Sequence, residues 1–287
     1  MNFFQALTLP FIRNALMAGI LSSVLFGIIG SVVTVRRIAG LAGSISHAVL
    51  GGIGIALYLN ATGKVPGLPP LAGAVVFALL SAIIIGYVSL KGKQREDTVI
   101  NAIWAIGMSI GVLFMAKTPG YTDPSSYLFG NVLLISNQDL FWLFILDIVV
   151  LFLTLRYYPQ IEASSFDEEF TQVRGIQTQR IFLIILGITA VSVVFLQTYV
   201  GIVMVIAMLT LPAGTAGYFA KNLATMMIGG TLYAALFSFG GLAVGWILDV
   251  PVGAMTVVFA GAVFLGTAGF TLLRKKIARR KKQQGNS

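Results

Sequence analysis

The sequence has no cysteine. That excludes disulfides, thiolate metal clusters and cysteine nucleophiles. It has one histidine, His47. A transition-metal centre built within one such chain would need oxygen or thioether ligands beside that imidazole. Only 10% of its 287 residues are charged. Three catalytic signatures are missing: His-Glu-x-x-His, Gly-x-Ser-x-Gly and the phosphate-cradling Gly-x4-Gly-Lys-Ser. The chain therefore carries no visible hydrolase or ATPase machinery of its own. Residues 1–10 have no basic side chain, so the amino terminus does not read as a cleaved signal, and the first apolar run is expected to be retained.

What remains is apolar. Hydrophobic residues make up 57% of the chain, with 32 glycines. Few soluble domains hide that much apolar surface, and glycine at this frequency suits closely packed membrane helices. Runs long enough to span a bilayer occur near 14–35, 40–59, 69–90, 98–116, 138–155, 180–198, 201–219, 226–247 and 252–273. The expectation is an all-α, polytopic bundle of eight or nine transmembrane helices forming one domain over 1–287. The fifth run is the shortest. Placing the amino terminus outside leaves only Arg13, Lys64 and Lys117 on that side and every other Lys and Arg inside. This satisfies the positive-inside rule. The net charge of +9 is then explained by topology and by the basic tail at 274–287, which fits anionic lipid better than nucleic acid.

His47 lies in Gly40-Leu-Ala-Gly-Ser-Ile-Ser-His-Ala-Val-Leu-Gly-Gly-Ile-Gly54, with no other ionisable side chain in the run. Helical spacing puts Gly40, Gly43, Ser44, His47, Gly51 and Gly54 on roughly one face. Small residues there permit either close helix approach or a narrow passage. His47 is a site candidate on this ground, and a histidine bonded to a neighbouring helix is the other reading. Pro212 stands inside a span, where it removes a backbone bond and either lines a cavity or sets a static kink. Asp147 sits midway along the fifth run and must face protein or water, or be protonated.

The longest inside loop is 156–179. Its core, Ser164-Ser-Phe-Asp-Glu-Glu-Phe-Thr-Gln-Val-Arg-Gly175, reads as a short amphipathic helix capped by Ser164 or Ser165 and ended by Gly175. Phe166, Phe170 and Val173 form its apolar stripe. Such a segment suits docking of a soluble partner, or rests on the lipid surface.

Several segments, taken in order, resemble the membrane permease of bacterial ATP-binding-cassette importers for zinc, manganese or iron. Arg36-Arg37 with Ser44-Ile-Ser-His-Ala-Val-Leu50 resembles the family's second-helix signature, typically Gly-Asp-x-Leu-Ser-His-Ala. Glu96-Asp97-Thr98 and Tyr127-Leu-Phe-Gly-Asn131 also fit, the latter against Tyr-Leu-Phe-Gly-Asp. So do Phe166-Asp-Glu-Glu-Phe with Arg174-Gly-Ile176, the run from Gly201 to Leu-Pro-Ala-Gly-Thr-Ala216, and Asp249-Val-Pro-Val-Gly253.

The resemblance implies a type II-like importer permease in the bacterial cytoplasmic membrane, with its carboxyl terminus inside and no cofactor bound by this chain. It implies a second copy of the chain and a cytoplasmic ATPase dimer that holds the ATP. It also implies an extracytoplasmic metal-binding protein. Phe166, Asp167, Glu168, Phe170, Arg174 and Gly175 then fall in the ATPase-coupling segment, at about 160–179. His47 is the implied metal ligand. Ser44, Ser46, Asn101, Met108, Met204 and Pro212 are candidates for lining the pathway.

Two departures stand out. Gly43 replaces the family's acid four residues before the histidine, and Asn131 replaces an acid near the outer mouth. Asp and His at i and i+4 share a helix face and can touch one ion. The expected function is divalent metal import by alternating access, with no covalent chemistry on this chain. The loss of the acid keeps a metal chelate or other small solute open as cargo. A third reading is an autonomous ion-coupled carrier using Asp147.

Overall fold

The computed structural model describes residues 5, 7–91, 96–120, 127, 130 and 134–284. Among the described residues ten helices follow one another: α1 (Pro10–Val35), α2 (Ala39–Ala61), α3 (Pro70–Lys91), α4 (Glu96–Lys117), α5 (Asn137–Phe166), α6 (Glu168–Val173), α7 (Thr178–Val200), α8 (Ile202–Gly217), α9 (Leu223–Leu248) and α10 (Val252–Gln284). No strand occurs among the described residues. Eight helices among the described residues are long and apolar enough to cross a membrane.

Local chemistry fixes the ends. Pro10 opens α1, where its missing N–H is not needed. Ser136 and Asp139 form a reciprocal capping box at the start of α5, and Asn222 and Thr225 do the same for α9. The break between α7 and α8 is Gly201, at φ 82° and ψ 160°, a conformation open essentially to glycine alone.

All nine expected spans appear as helices, with two corrections. The fifth, α5, is not the shortest. It has 30 residues and runs on past the expected end at 155 to Phe166, through Pro159. The shortest is α8, with 16 residues. At 1.5 Å per residue it is about 24 Å long, short of the roughly 30 Å hydrocarbon core. Contacts to other elements lie near both of its ends. Gly201 touches Gly130 at one end, and past α8 the Ala224 N–H donates to the Tyr158 hydroxyl at the other. The second correction follows from the first. The 156–179 loop is mostly helix, and Ser164 and Ser165 belong to the last turn of α5. Asp167 is the cap of α6, accepting from the Phe170 N–H at 2.9 Å.

Between lipid-bathed helices there is little hydrophobic drive, so close packing at small residues holds the bundle together. α1 pairs with α9 and α8, where a Cβ on Gly30 would strike the Leu209 backbone. α2 lies between α3 and α4. Side chains such as Leu113, Phe152, Leu265 and Leu272 are more than 60% exposed, which places α4, α5 and α10 on the lipid-facing or partner-facing rim.

Candidate functional site

α2 has two different halves. Beyond His47 its glycines are closed by neighbours. An added Cβ on Gly52 would overlap the Gly73 carbonyl of α3, and one on Gly54 would lie 2.5 Å from the Gly111 carbonyl of α4. Gly107 of α4 in turn sits against Ala48. Before His47 the opposite holds. A Cβ on Gly40 or Gly43 would meet nothing within 4 Å among the described residues. The single sequence face therefore splits into a packed half and an open half.

His47 stands at the boundary, half-buried. Its ring stacks on Trp104 of α4, with centroids 4.6 Å apart and planes 22° apart. Its Nδ1 is buried and has no hydrogen-bond partner among the described residues. The bonded-histidine reading thus finds no partner there. The Trp104 face restricts the plane of the imidazole, and a neutral imidazole is the form of histidine that can bind a metal ion.

The other pathway candidates separate. Ser44 is buried and donates to the Ile100 carbonyl at 2.8 Å, so it joins α2 to α4. Ser46 is buried and donates back to the Ala42 carbonyl at 2.9 Å. Neither hydroxyl faces the open half. Asn101 is exposed on α4, one turn before Trp104. Met108 lines a shallow groove of about 500 Å³ further along α4, with Ala105, Ser109, Val112 and Leu113. Met204 and Pro212 are buried in the core on α8. The structure thus brings His47, Gly43, Trp104 and Asn101 to one region and leaves Ser44, Ser46, Met204 and Pro212 in packing roles. Asp147 is 7% exposed on α5, which packs on α1 and α7, and neither carboxylate oxygen has a hydrogen-bond partner among the described residues. Asn131 lies outside the described residues.

Trp104 was not legible as a site residue. Nothing in the sequence says which aromatic of α4 meets His47. The spacing of Gly107 and Gly111 four residues apart does match the glycine run of α2, and it is the signal that pairs the two helices.

At the basic end of the bundle, α6 projects from the junction of α5 and α7. Thr171 anchors it, 1% exposed, and Gln172 donates to the Thr178 hydroxyl at 2.8 Å. The rest of the segment is outward. Phe166, Phe170 and Val173 are 63%, 55% and 87% exposed, beside exposed Asp167, Glu168 and Glu169. Arg174 lies over the Phe170 ring at 4.8 Å, and Gly175 adopts φ 81° to end the turn. Arg36, at the end of α1, reaches under this segment. Burial pushes its guanidinium below the ordinary arginine value, and Glu168 works against that shift.

The sequence matches the ABC 3 transport family over residues 8–271. It is 35% identical to a Chlamydia trachomatis protein named "Probable metal transport system membrane protein", over 89% of this chain and 87% of that one. It is 33% identical to the manganese transport system membrane protein MntC of Halalkalibacterium halodurans, over 91% and 88%. The fold superposes on a chain of PsaBC from Streptococcus pneumoniae, solved with a Fab, with a TM-score of 0.81 at 28% identity, covering 92% of this chain and 94% of that one.

Proposed function

The chain belongs to the ABC 3 transport family, and from that premise we propose that it is the permease subunit of an importer carrying a divalent metal ion into the bacterial cytoplasm. The carrying observation is the half-buried imidazole of His47 inside a membrane-crossing helix, with its Nδ1 unpaired among the described residues and space at Gly43 and Gly40 beside it. An ionisable group inside a membrane-crossing helix is costly, which makes it a functional-site candidate by default. Manganese is the first cargo to test, because several relatives are named for it.

A second copy completes the pathway. α4 exposes Asn101 and Trp104 on one face, with the half-buried Met108 one turn further on, and Trp104 stacks on His47. Two copies related by a twofold axis would bring two imidazoles to one passage, and water would fill the remaining positions on the ion. α6 supplies the ATPase contact. Its bare Phe166, Phe170 and Val173, framed by carboxylates, form a knob for a groove in a soluble subunit. Closure of the ATPase pair would press on α6 and switch the pathway between its outward and inward forms. The positive-inside pattern puts the amino terminus outside and the basic tail inside, an arrangement that requires α8 to traverse as a ninth segment beside the eight long helices.

The observation that favours a second cargo is Gly43. Without an acid there, each protomer offers a single strong ligand, which suits a metal already wrapped in a chelator.

The test is ATP-dependent uptake into proteoliposomes holding this chain, its ATPase and its binding protein. Uptake of free manganese or zinc supports the first reading. ATPase stimulation by a chelate but by no free ion replaces it with the second. The docking assignment is tested separately: Phe170→Asp with Val173→Asp should abolish co-purification of the ATPase, and retained binding would move the contact elsewhere.

A further inference from the structure

Arg36 lies at the meeting point of four helices. It follows the last residue of α1, and its backbone N–H caps that helix through the Val32 carbonyl at 2.9 Å. Its side chain is only 7% exposed. One guanidinium nitrogen donates to Ser164 of α5, at 3.1 Å to the hydroxyl and 3.4 Å to the carbonyl. The other faces the Glu168 carboxylate of α6 at 3.7 Å. The Phe182 ring of α7 lies under the guanidinium, 5.4 Å away. A lysine cannot reproduce this set, because only the planar fork serves two acceptors while stacking on a ring.

The connection onward to His47 is short. Arg37 takes a left-handed conformation, φ 59°, and the elbow is tied by Ile38 N–H to the Val33 carbonyl at 2.9 Å and by Leu41 N–H to the Ile38 carbonyl at 3.0 Å. α2 begins at Ala39, so His47 stands about 12 Å up a continuous helix at 1.5 Å per residue. A helix moves nearly as a rigid rod, and a bonded elbow has little slack to absorb a push.

We propose that Arg36 is a positioning residue that links the coupling segment to the metal-bearing helix: it grips α6 and the end of α5, and passes their movement through the elbow to α2. This rests on the reading of α6 as the ATPase contact. A topological charge alone would stay in water or at the lipid surface, whereas Arg36 is buried against named partners on three other helices. Its neighbour Arg37 is exposed and fits that simpler role.

The chain's lack of cysteine gives a clean background for labelling. Gly40→Cys places a spin label on α2 where a side chain meets nothing within 4 Å among the described residues. In the complete complex with ATPase and binding protein, the distance between the two protomers' labels is measured without nucleotide and with ATP plus vanadate. The wild-type background should show a clear change. Arg36→Gln should shrink that change about fivefold or more while ATPase co-purification and unstimulated ATP hydrolysis persist. Arg36→Lys should restore only part of it.

An undiminished change in Arg36→Gln overturns the proposal, as does an immobile label in the wild-type background. If Arg36→Gln fails to assemble, Ser164→Ala removes one acceptor and should still shrink the change; a wild-type response there also overturns it. Metal uptake is read in parallel on the unlabelled proteins that keep Gly40, so that a label beside the proposed path cannot block it. Label movement without metal uptake would reject the metal cargo and leave the role of Arg36 standing.

Discussion

The two halves of α2 use the same residue for opposite ends. In the half beyond His47, glycine is there so that a neighbouring backbone can come close, and Gly73 and Gly111 occupy the space a side chain would need. In the half before it, Gly40 and Gly43 leave room that nothing among the described residues fills. One half is a clamp and the other is open, with His47 at the join. A stripe of small residues is therefore no evidence for a pore or for packing until its neighbours are known.

Four substitutions test this contrast, in falling order of effect. Gly52→Val should be the most damaging, because its side chain overlaps the Gly73 backbone, which cannot move aside as a flexible side chain would. Overpacking of this kind costs about 1–3 kcal/mol or more, read as a fall in the midpoint of thermal unfolding in detergent. Normal stability would show that α2 and α3 can part. His47→Ala should leave folding intact and lower metal uptake by more than the about 10–100-fold typical of losing a supporting residue around a metal. Trp104→Ala should keep the ligand but free its ring. An aromatic pair is worth about 0.5–1.5 kcal/mol, so uptake should drop roughly two- to tenfold. Gly40→Ala should be the mildest: a methyl group fits there, and alanine favours helix over glycine by about 1 kcal/mol, so unfolding should move slightly upward. Destabilisation by Gly40→Ala would mean that the open half is closed in the protomer after all.

Much of the bundle was legible because membrane spans announce themselves by length. All nine runs became helices, and the Asp-Glu-Glu-Phe segment became α6. The site was legible only in part. His47 was singled out by being the sole ionisable group in its run. Ser44 and Ser46 stood on its flanks with equal claim, yet Ser44 bonds the Ile100 carbonyl of α4 and Ser46 its own helix. Periodicity shows which residues share a face but does not show what lies opposite. In a bundle this apolar the difficulty is sharper, since lipid and protein both accept the same side chains and no polar face marks the outside. The length of α5 was missed because the apolar run ends at Leu155 and the charged Arg156 follows it. The helix nevertheless continues beyond that run, through Pro159 to Phe166. Arg36 was read as one topological charge among many, and only its burial against Ser164 and Phe182 distinguishes it from Arg37.

The most direct test of the open face as a metal path is equilibrium binding of manganese and zinc to the purified chain, comparing wild type, His47→Ala and Gly43→Asp. Aspartate at position 43 lies one turn before His47, in space free to receive it, and adds a charged oxygen ligand to the same face. The account predicts tightening of about tenfold or more in Gly43→Asp, equivalent to roughly 1.4 kcal/mol, and loss of binding in His47→Ala. Equal affinities in all three proteins would place the ion elsewhere and contradict it.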